Sequence, residues 1–166
     1  MKKIFAVTLM AGLMASSAAF AEAKTAHIFN HEGAHVGQAK LTPATKGILL
    51  DVELHDFAPG WHALHFHGQG VCDDTHDHFA KSGGHAAREG EDHGYLSAKG
   101  PHMGDLPNFF VHNDGSAKIQ VYTENAKLDE LLDADGAAIL IHADPDDYTS
   151  QPAGNAGKRL ACGVIK

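Results

Sequence analysis

Residues 47–57 read GILLDVELHDF. Ile48, Leu50, Val52 and Leu54 alternate with Leu49, Asp51, Glu53 and His55, a period of two that puts one set on each face of a β-strand. Outward from this stretch the same grammar repeats. Towards the N-terminus, residues 26–30 and 36–41 flank a Glu32-Gly33 turn and read as a hairpin. Towards the C-terminus, Pro59-Gly60 marks a turn and residues 61–67 (WHALHFH) alternate again. Residues 68–107 then lose all apolar periodicity. They are rich in Gly, Asp, His and Lys, a composition that stays ordered inside a compact domain only if cross-links or ligands replace the missing core. Strands resume at 108–112 and 117–123 around Asn113-Asp114-Gly115 turn chemistry. Residues 128–132 read as a short helical turn, and 137–142 (AAILIH) and 159–165 (RLACGVI) complete about eight strands. No repeat or second domain is visible. The expectation is an all-β sandwich or barrel.

The chain has 166 residues, enough for one core. Its first 21 residues read as a secretory signal peptide. Lys2 and Lys3 form a short positive region, an apolar run follows, and Ala19-Phe20-Ala21 is an A-x-A cleavage signal before Glu22. The apolar run is short of the roughly 20 residues a membrane span needs, and no later segment is apolar for long enough. The expected mature chain is 22–166, periplasmic, with no span after cleavage. Net charge is −8, and loss of Lys2 and Lys3 makes it more negative still. That balance excludes a basic nucleic-acid footprint and repels anions at long range. An anionic substrate therefore requires a local positive group.

Two cysteines, Cys72 and Cys162, lie in the exported part. An oxidising compartment favours a disulfide. Histidine is the outlying residue type, at 14 per chain, and points to metal. His65 and His67 are two apart on one strand, so both rings face the same side, whereas His62 faces the other. His85, His93, His102 and Asp105 follow at spacings of 8, 9 and 3, and His142 ends the AAILIH strand. One ion is saturated by about four ligands, so this set suggests two sites. Imidazoles with a carboxylate in a closed tetrahedron suit zinc, and an all-imidazole site with an open position suits copper. His27, His31, His35, His55, His76, His78 and His112 read as solvated loop residues.

The segments Pro59-Gly60-Trp61-His62-Ala63-Leu64-His65-Phe66-His67, Gly83-Gly84-His85, Gly100-Pro101-His102-Met103-Gly104-Asp105-Leu106-Pro107 and 154–165 (GNAGKRLACGVI) together resemble the copper/zinc superoxide dismutase family of the bacterial exported kind. The resemblance runs through most of the mature chain. It implies an eight-stranded Greek-key β-barrel with long metal-binding and disulfide loops, and dismutation of superoxide to oxygen and hydrogen peroxide. It implies copper on His65, His67, His85 and His142, and zinc on His85, His93, His102 and Asp105, one of each metal per chain. His85 would then bridge the two ions and serve in catalysis with Arg159, the anion-docking residue. Asp146 matches a carboxylate linking a copper histidine to a zinc histidine, and Cys72 and Cys162 match the family disulfide. Lys81 and Lys158 are candidates to assist steering. Relatives include monomers and homodimers, and a metal-storage module without turnover, a haem-binding variant and a sandwich with incidental histidines stay open as alternatives. The chain departs from the family pattern at Ala63-Leu64, where Gly-Phe is usual. It departs again at Ala86-Ala87-Arg88, where a large residue and then a proline are usual. The second departure predicts a looser zinc loop.

Overall fold

A computed structural model describes residues 22–166, so the expected leader at 1–21 lies outside the described residues. The strands are β1 (Lys24–Asn30), β2 (His35–Ala44), β3 (Gly47–Leu54), β4 (Gly60–His62), β5 (Leu64–His67), β6 (Phe109–Val111), β7 (Ala117–Thr123), β8 (Ala138–His142) and β9 (Arg159–Val164), with a short α-helix, α1 (Leu128–Leu131), and two single 3-10 turns at Thr75–Asp77 and Ala80–Ser82. All strand pairs are antiparallel. The main sheet runs β5-β8-β9-β1-β2-β3-β7, and β4 pairs with β6. The last strand lies against the first, and β5 lies against β8, the non-local pairing of a Greek-key barrel. The all-β expectation holds, with nine strands among the described residues where the sequence predicts eight.

The extra strand comes from residues 61–67. Below Ala63 the run pairs with β6, and above it with β8. Ala63 itself accepts from His142 N at the end of β8 but donates its N–H past that strand, to Asp144 O, so its backbone has left the β6 ladder. The run through 47–57 also stops early, at Leu54, because Asp56 sits in the left-handed region (φ 65). Within β3 the predicted alternation is present: Ile48, Leu50, Val52 and Leu54 are buried, and Glu53 faces water.

β8 is buried along its whole length. Ile139 and Ile141 enter the main core, while Ala138 and Leu140 pack on the opposite face with Phe79, Cys162 and Cys72. The continuous apolar run thus reflects a strand covered on both sides. The outer cover is the segment 68–107, tied down by the Cys72–Cys162 disulfide, which spans 90 residues of sequence. Further ties are Gly68 N to Gly84 O, Gln69 N to Ser82 O and Ala86 N to Phe66 O. Gly104 donates to Ala86 O and accepts nothing larger than hydrogen at its Cα, since a Cβ there would collide with Phe66 O. Among the described residues no helix is long and apolar enough to cross a membrane.

Candidate metal centre

β5 carries the first two ligand candidates. Leu64 and Phe66 point into the core, so the period of two turns His65 and His67 to the outer face. The covering loops leave His65 fully buried and His67 1% exposed. His65 pairs with Leu140 across the β5–β8 ladder, and His142 ends β8 beyond it. His62 lies on the other side, as the spacing predicts. Its Nδ1 is 2.8 Å from His142 O and its Nε2 2.8 Å from Ala58 O, so it anchors the end of β8 from beneath.

Two groups of side chains converge there. His65, His67, His85 and His142 each bring one ring nitrogen within 4.8 Å of the others. His85, His93, His102 and Asp105 do the same with a ring nitrogen or a carboxylate oxygen. His85 belongs to both. Its Nδ1 is 2.8 Å from Asp105 Oδ1, which leaves Nε2 turned away towards the first group. The His85 ring centroid is 4.0 Å from that of His65 and 5.1 Å from that of His93. Asp146 lies behind both groups: His65 Nε2 is 2.8 Å from its Oδ2, and His93 Nε2 is 3.0 Å from its Oδ1.

The fit of these residues to ions rests on their unused nitrogens. His65 Nδ1, His67 Nε2, His85 Nε2, His102 Nδ1 and both ring nitrogens of His142 are buried without any hydrogen-bond partner. A buried polar atom left unpaired costs about 1–3 kcal/mol. Several gathered in two adjoining groups are a heavy cost that metal ions would offset. Electrostatics point the same way. Burial lowers His65 to about 4 and His142 to about 3, and burial together with the His85 ring holds His67 well below its ordinary value. These rings stay neutral, the form a metal takes. Burial also opposes charge on His93, but its hydrogen bonds to Asp105 and Asp146 outweigh that and raise it to about 9. Asp105 is held far below the carboxylate range, because hydrogen bonds from His85, His93 and Gly94 N–H overcome its burial. The second group thus carries a carboxylate charge that the first lacks.

Arg159 opens β9 and bends back over the loop. Its Nη1 donates to Phe79 O (2.7 Å) and its Nη2 to Gly83 O (2.6 Å). Gly83 O also faces His67 Nδ1 at 2.9 Å, so one carbonyl orients both groups. A cavity of about 460 Å³ opens between them, lined by His67, His85, His142 and Arg159 among others. Lys158 is exposed beside Arg159. Lys81 is engaged by Asp73 at 3.1 Å and brings little free charge.

Several contributors carry no signal in the linear sequence. Gln151 clamps the His93 main chain, accepting from His93 N (2.9 Å) and donating to His93 O (2.8 Å). Asn108 exchanges hydrogen bonds with the Asp146 main chain. Arg88 corrects the expectation of a looser loop. Its guanidinium donates to both oxygens of Glu130 (2.9 and 2.8 Å), to Glu91 and to Asn125 O. The Glu91 carboxylate in turn collects Arg88 N and Met103 N. These bonds join residues beside His85, His93 and His102 to α1, a network of the kind that outperforms isolated surface pairs. Of the remaining histidines, His27, His35, His55, His76, His78 and His112 are exposed.

Residues 35–165 match the family model for copper/zinc superoxide dismutase (SODC). A superoxide dismutase [Cu-Zn] of Caulobacter vibrioides is 43% identical over 149 residues, covering 86% of this chain and 84% of the relative. Superoxide dismutase [Cu-Zn] 2 of Aquifex aeolicus is 37% identical over 174 residues and the full length of both. Among solved structures, a SOD-like protein from Bacillus subtilis superposes with a TM-score of 0.80 at 30% identity, over 86% of this chain and 97% of that one. The match spans both histidine groups, the carboxylates behind them and the closing strand, and the chain belongs to the copper/zinc superoxide dismutase family.

Proposed function

We propose that His65, His67, His85 and His142 hold copper, that His85, His93, His102 and Asp105 hold zinc, and that Arg159 receives superoxide in the cavity between them. The observation that carries this assignment is the double membership of His85, with Nδ1 at Asp105 and an unpartnered Nε2 among the other three rings. The reaction is dismutation of superoxide to oxygen and hydrogen peroxide, with copper and zinc as cofactors. On these residues copper would supply one-electron redox chemistry and zinc, redox-inert, would supply only charge and a fixed geometry.

The chain's own residues do the rest. Arg159 stays protonated at any working pH and presents a fixed positive charge to a small anion. The carbonyls of Phe79 and Gly83 hold its fork so that it faces the cavity. His85 Nε2 is the atom that would carry a proton there whenever it is not holding copper, because Nδ1 is committed to the Asp105 side. Asp146 fixes the His65 and His93 rings through one carboxylate and so couples the two groups. The product peroxide needs two protons: His85 would supply one at the cavity wall, and solvent reaching the open cavity would supply the other. The chain is exported by its leader at 1–21, is cut before Glu22 and works in the periplasm as residues 22–166. The leader's composition and the Cys72–Cys162 disulfide support that reading.

Metal analysis and superoxide decay on the Arg159→Glu variant test the docking role. The expected result is unchanged copper and zinc with a rate about 10-fold lower or more at low salt. Steering, for which this enzyme family is itself a standard example, is worth about 10–10³. The salt dependence of the rate is also expected to change, since the local charge has reversed. An unchanged rate and salt slope would remove Arg159 from the mechanism.

Gly154 offers a second check. It sits at φ +65, and a Cβ there would overlap Asp146 Oδ1 and press on His93 Nε2. Gly154→Ala is therefore expected to push the carboxylate off both rings. Loss of such an outer partner weakens metal binding by about 10–100-fold. Competition with a chelator measures it, and a parental affinity for both metals would show that Asp146 does not tension the site.

A further inference from the structure

In sequence His31 reads as one of the solvated histidines, and the structure places it elsewhere. It follows β1 directly, at the start of the β1–β2 turn, and is half-buried. The turn around it is ordered, since Asn30 Oδ1 accepts from Glu32 N and Ala34 N. The β1–β9 ladder ends with Asn30 opposite Ala161, so Arg159 lies two residues beyond its last pair. Its carbonyl has no strand partner on that side. The His31 ring takes that place, with Nε2 2.7 Å from Arg159 O. The other nitrogen, Nδ1, is 2.9 Å from Thr75 O. Either tautomer donates to one of these carbonyls, and the protonated ring donates to both.

The same ring also reaches the other end of Arg159. It stacks on Phe79 with centroids 4.7 Å apart and planes inclined by 19°. Phe79 is fully buried and sits in the left-handed region (φ 57), so its carbonyl direction depends on what packs against it. That carbonyl accepts Arg159 Nη1. The His78 ring closes the far side of His31 edge-on, at 4.7 Å. One imidazole thus locates the Arg159 main chain through a hydrogen bond, and the Arg159 guanidinium through Phe79.

We propose that His31 is a positioning residue for Arg159, setting how far the guanidinium reaches into the cavity. This rests on the reading of Arg159 as the superoxide-docking group. His31 belongs to neither of the histidine groups assigned to copper and zinc. A ring that merely stapled the turn to the loop would affect unfolding and leave steering alone.

The test uses the metal-loaded mature enzyme. His31→Phe keeps the stack on Phe79 and removes both hydrogen bonds. His31→Gln keeps a donor that can reach Arg159 O. Copper and zinc per chain are expected to match the parent in both. The rate with superoxide is expected to fall roughly 10-fold in His31→Phe, as small misplacements of a positioned group do, with a flatter dependence on ionic strength. His31→Gln is expected to recover a large part of rate and salt slope together. In an Arg159→Leu background, His31→Phe is expected to add nothing. A parental rate and salt slope in His31→Phe, beside a slow Arg159→Leu, would overturn the positioning role alone. A loss that persists in the Arg159→Leu background would overturn it too, because His31 would then act elsewhere. A parental rate in Arg159→Leu itself would remove the docking role, and this proposal with it.

Discussion

His142→Ala is expected to lose copper and, with it, dismutation. His142 brings a buried ring whose two nitrogens have no side-chain hydrogen-bond partner. It sits beside the rings of His65 and His67, at centroid distances of 4.9 and 5.7 Å. Burial lowers it to about 3, so it is neutral and ready to bind throughout the working range. Its removal leaves three nitrogens and an open space on the cavity side. Loss of partners that only orient a ligand already costs about 10–100-fold in affinity, so loss of the ligand itself is expected to cost at least as much. Elemental analysis is expected to show copper near zero and zinc near one per chain, because His142 is absent from the His85, His93, His102 and Asp105 group. Retained copper with parental activity would contradict the ligand assignment. Parallel loss of zinc would show that the two groups do not bind independently.

Replacing both cysteines, as Cys72→Ala with Cys162→Ala, is expected to lower the stability of the metal-free protein by about 4–5 kcal/mol. The bridge closes a sequence separation of 90 residues, and the chain-entropy account gives that figure for a loop of this size. Domain stabilities are only about 5–15 kcal/mol in total, so the metal-free variant is expected to sit near the edge of folding. Urea unfolding of the metal-free protein measures it, with a steeper slope as the unfolded chain expands. Metal binding is expected to restore a cooperative transition, since ligands that bind the folded state stabilise it. A functional loss is expected as well. The segment from Cys72 to Gly83 carries both carbonyls that hold Arg159, one of which also orients His67. A loss below about 1 kcal/mol would mean that Phe79, packed with Leu140 and Cys162 over β8, holds this segment without the covalent link; burying one such side chain is worth about 1.5–3 kcal/mol.

Local rules account for much of what is legible in the residues themselves. Alternation in 47–57 identifies the inner face of β3, and the spacing of His65 and His67 in WHALHFH puts two rings on one side. The same rule separates His62 from them. Local rules fail where a residue's role depends on distant neighbours. Ala63 divides one expected strand into two because the run changes partner there, from β6 before it to the end of β8 and Asp144 from it onward. Arg88 stands where a stiff proline is usual, yet the loop is held, because Glu130 lies 42 positions away and meets it bidentately. His31 and His76 look alike in sequence. One is seated on the Arg159 carbonyl and the other faces water, a difference made entirely by where β1 ends against β9.

From composition and spacing alone follow the strand character, the stock of imidazoles and carboxylates, the pair of cysteines and the need for a local cation in an acidic chain. Each depends only on side-chain chemistry or on the two-residue repeat of extended backbone. Which nitrogens meet, that one ring serves two groups, and which carbonyls aim the guanidinium depend on strand pairing and loop path between residues far apart in the chain. Those are products of packing the whole chain, and no short stretch of it carries them.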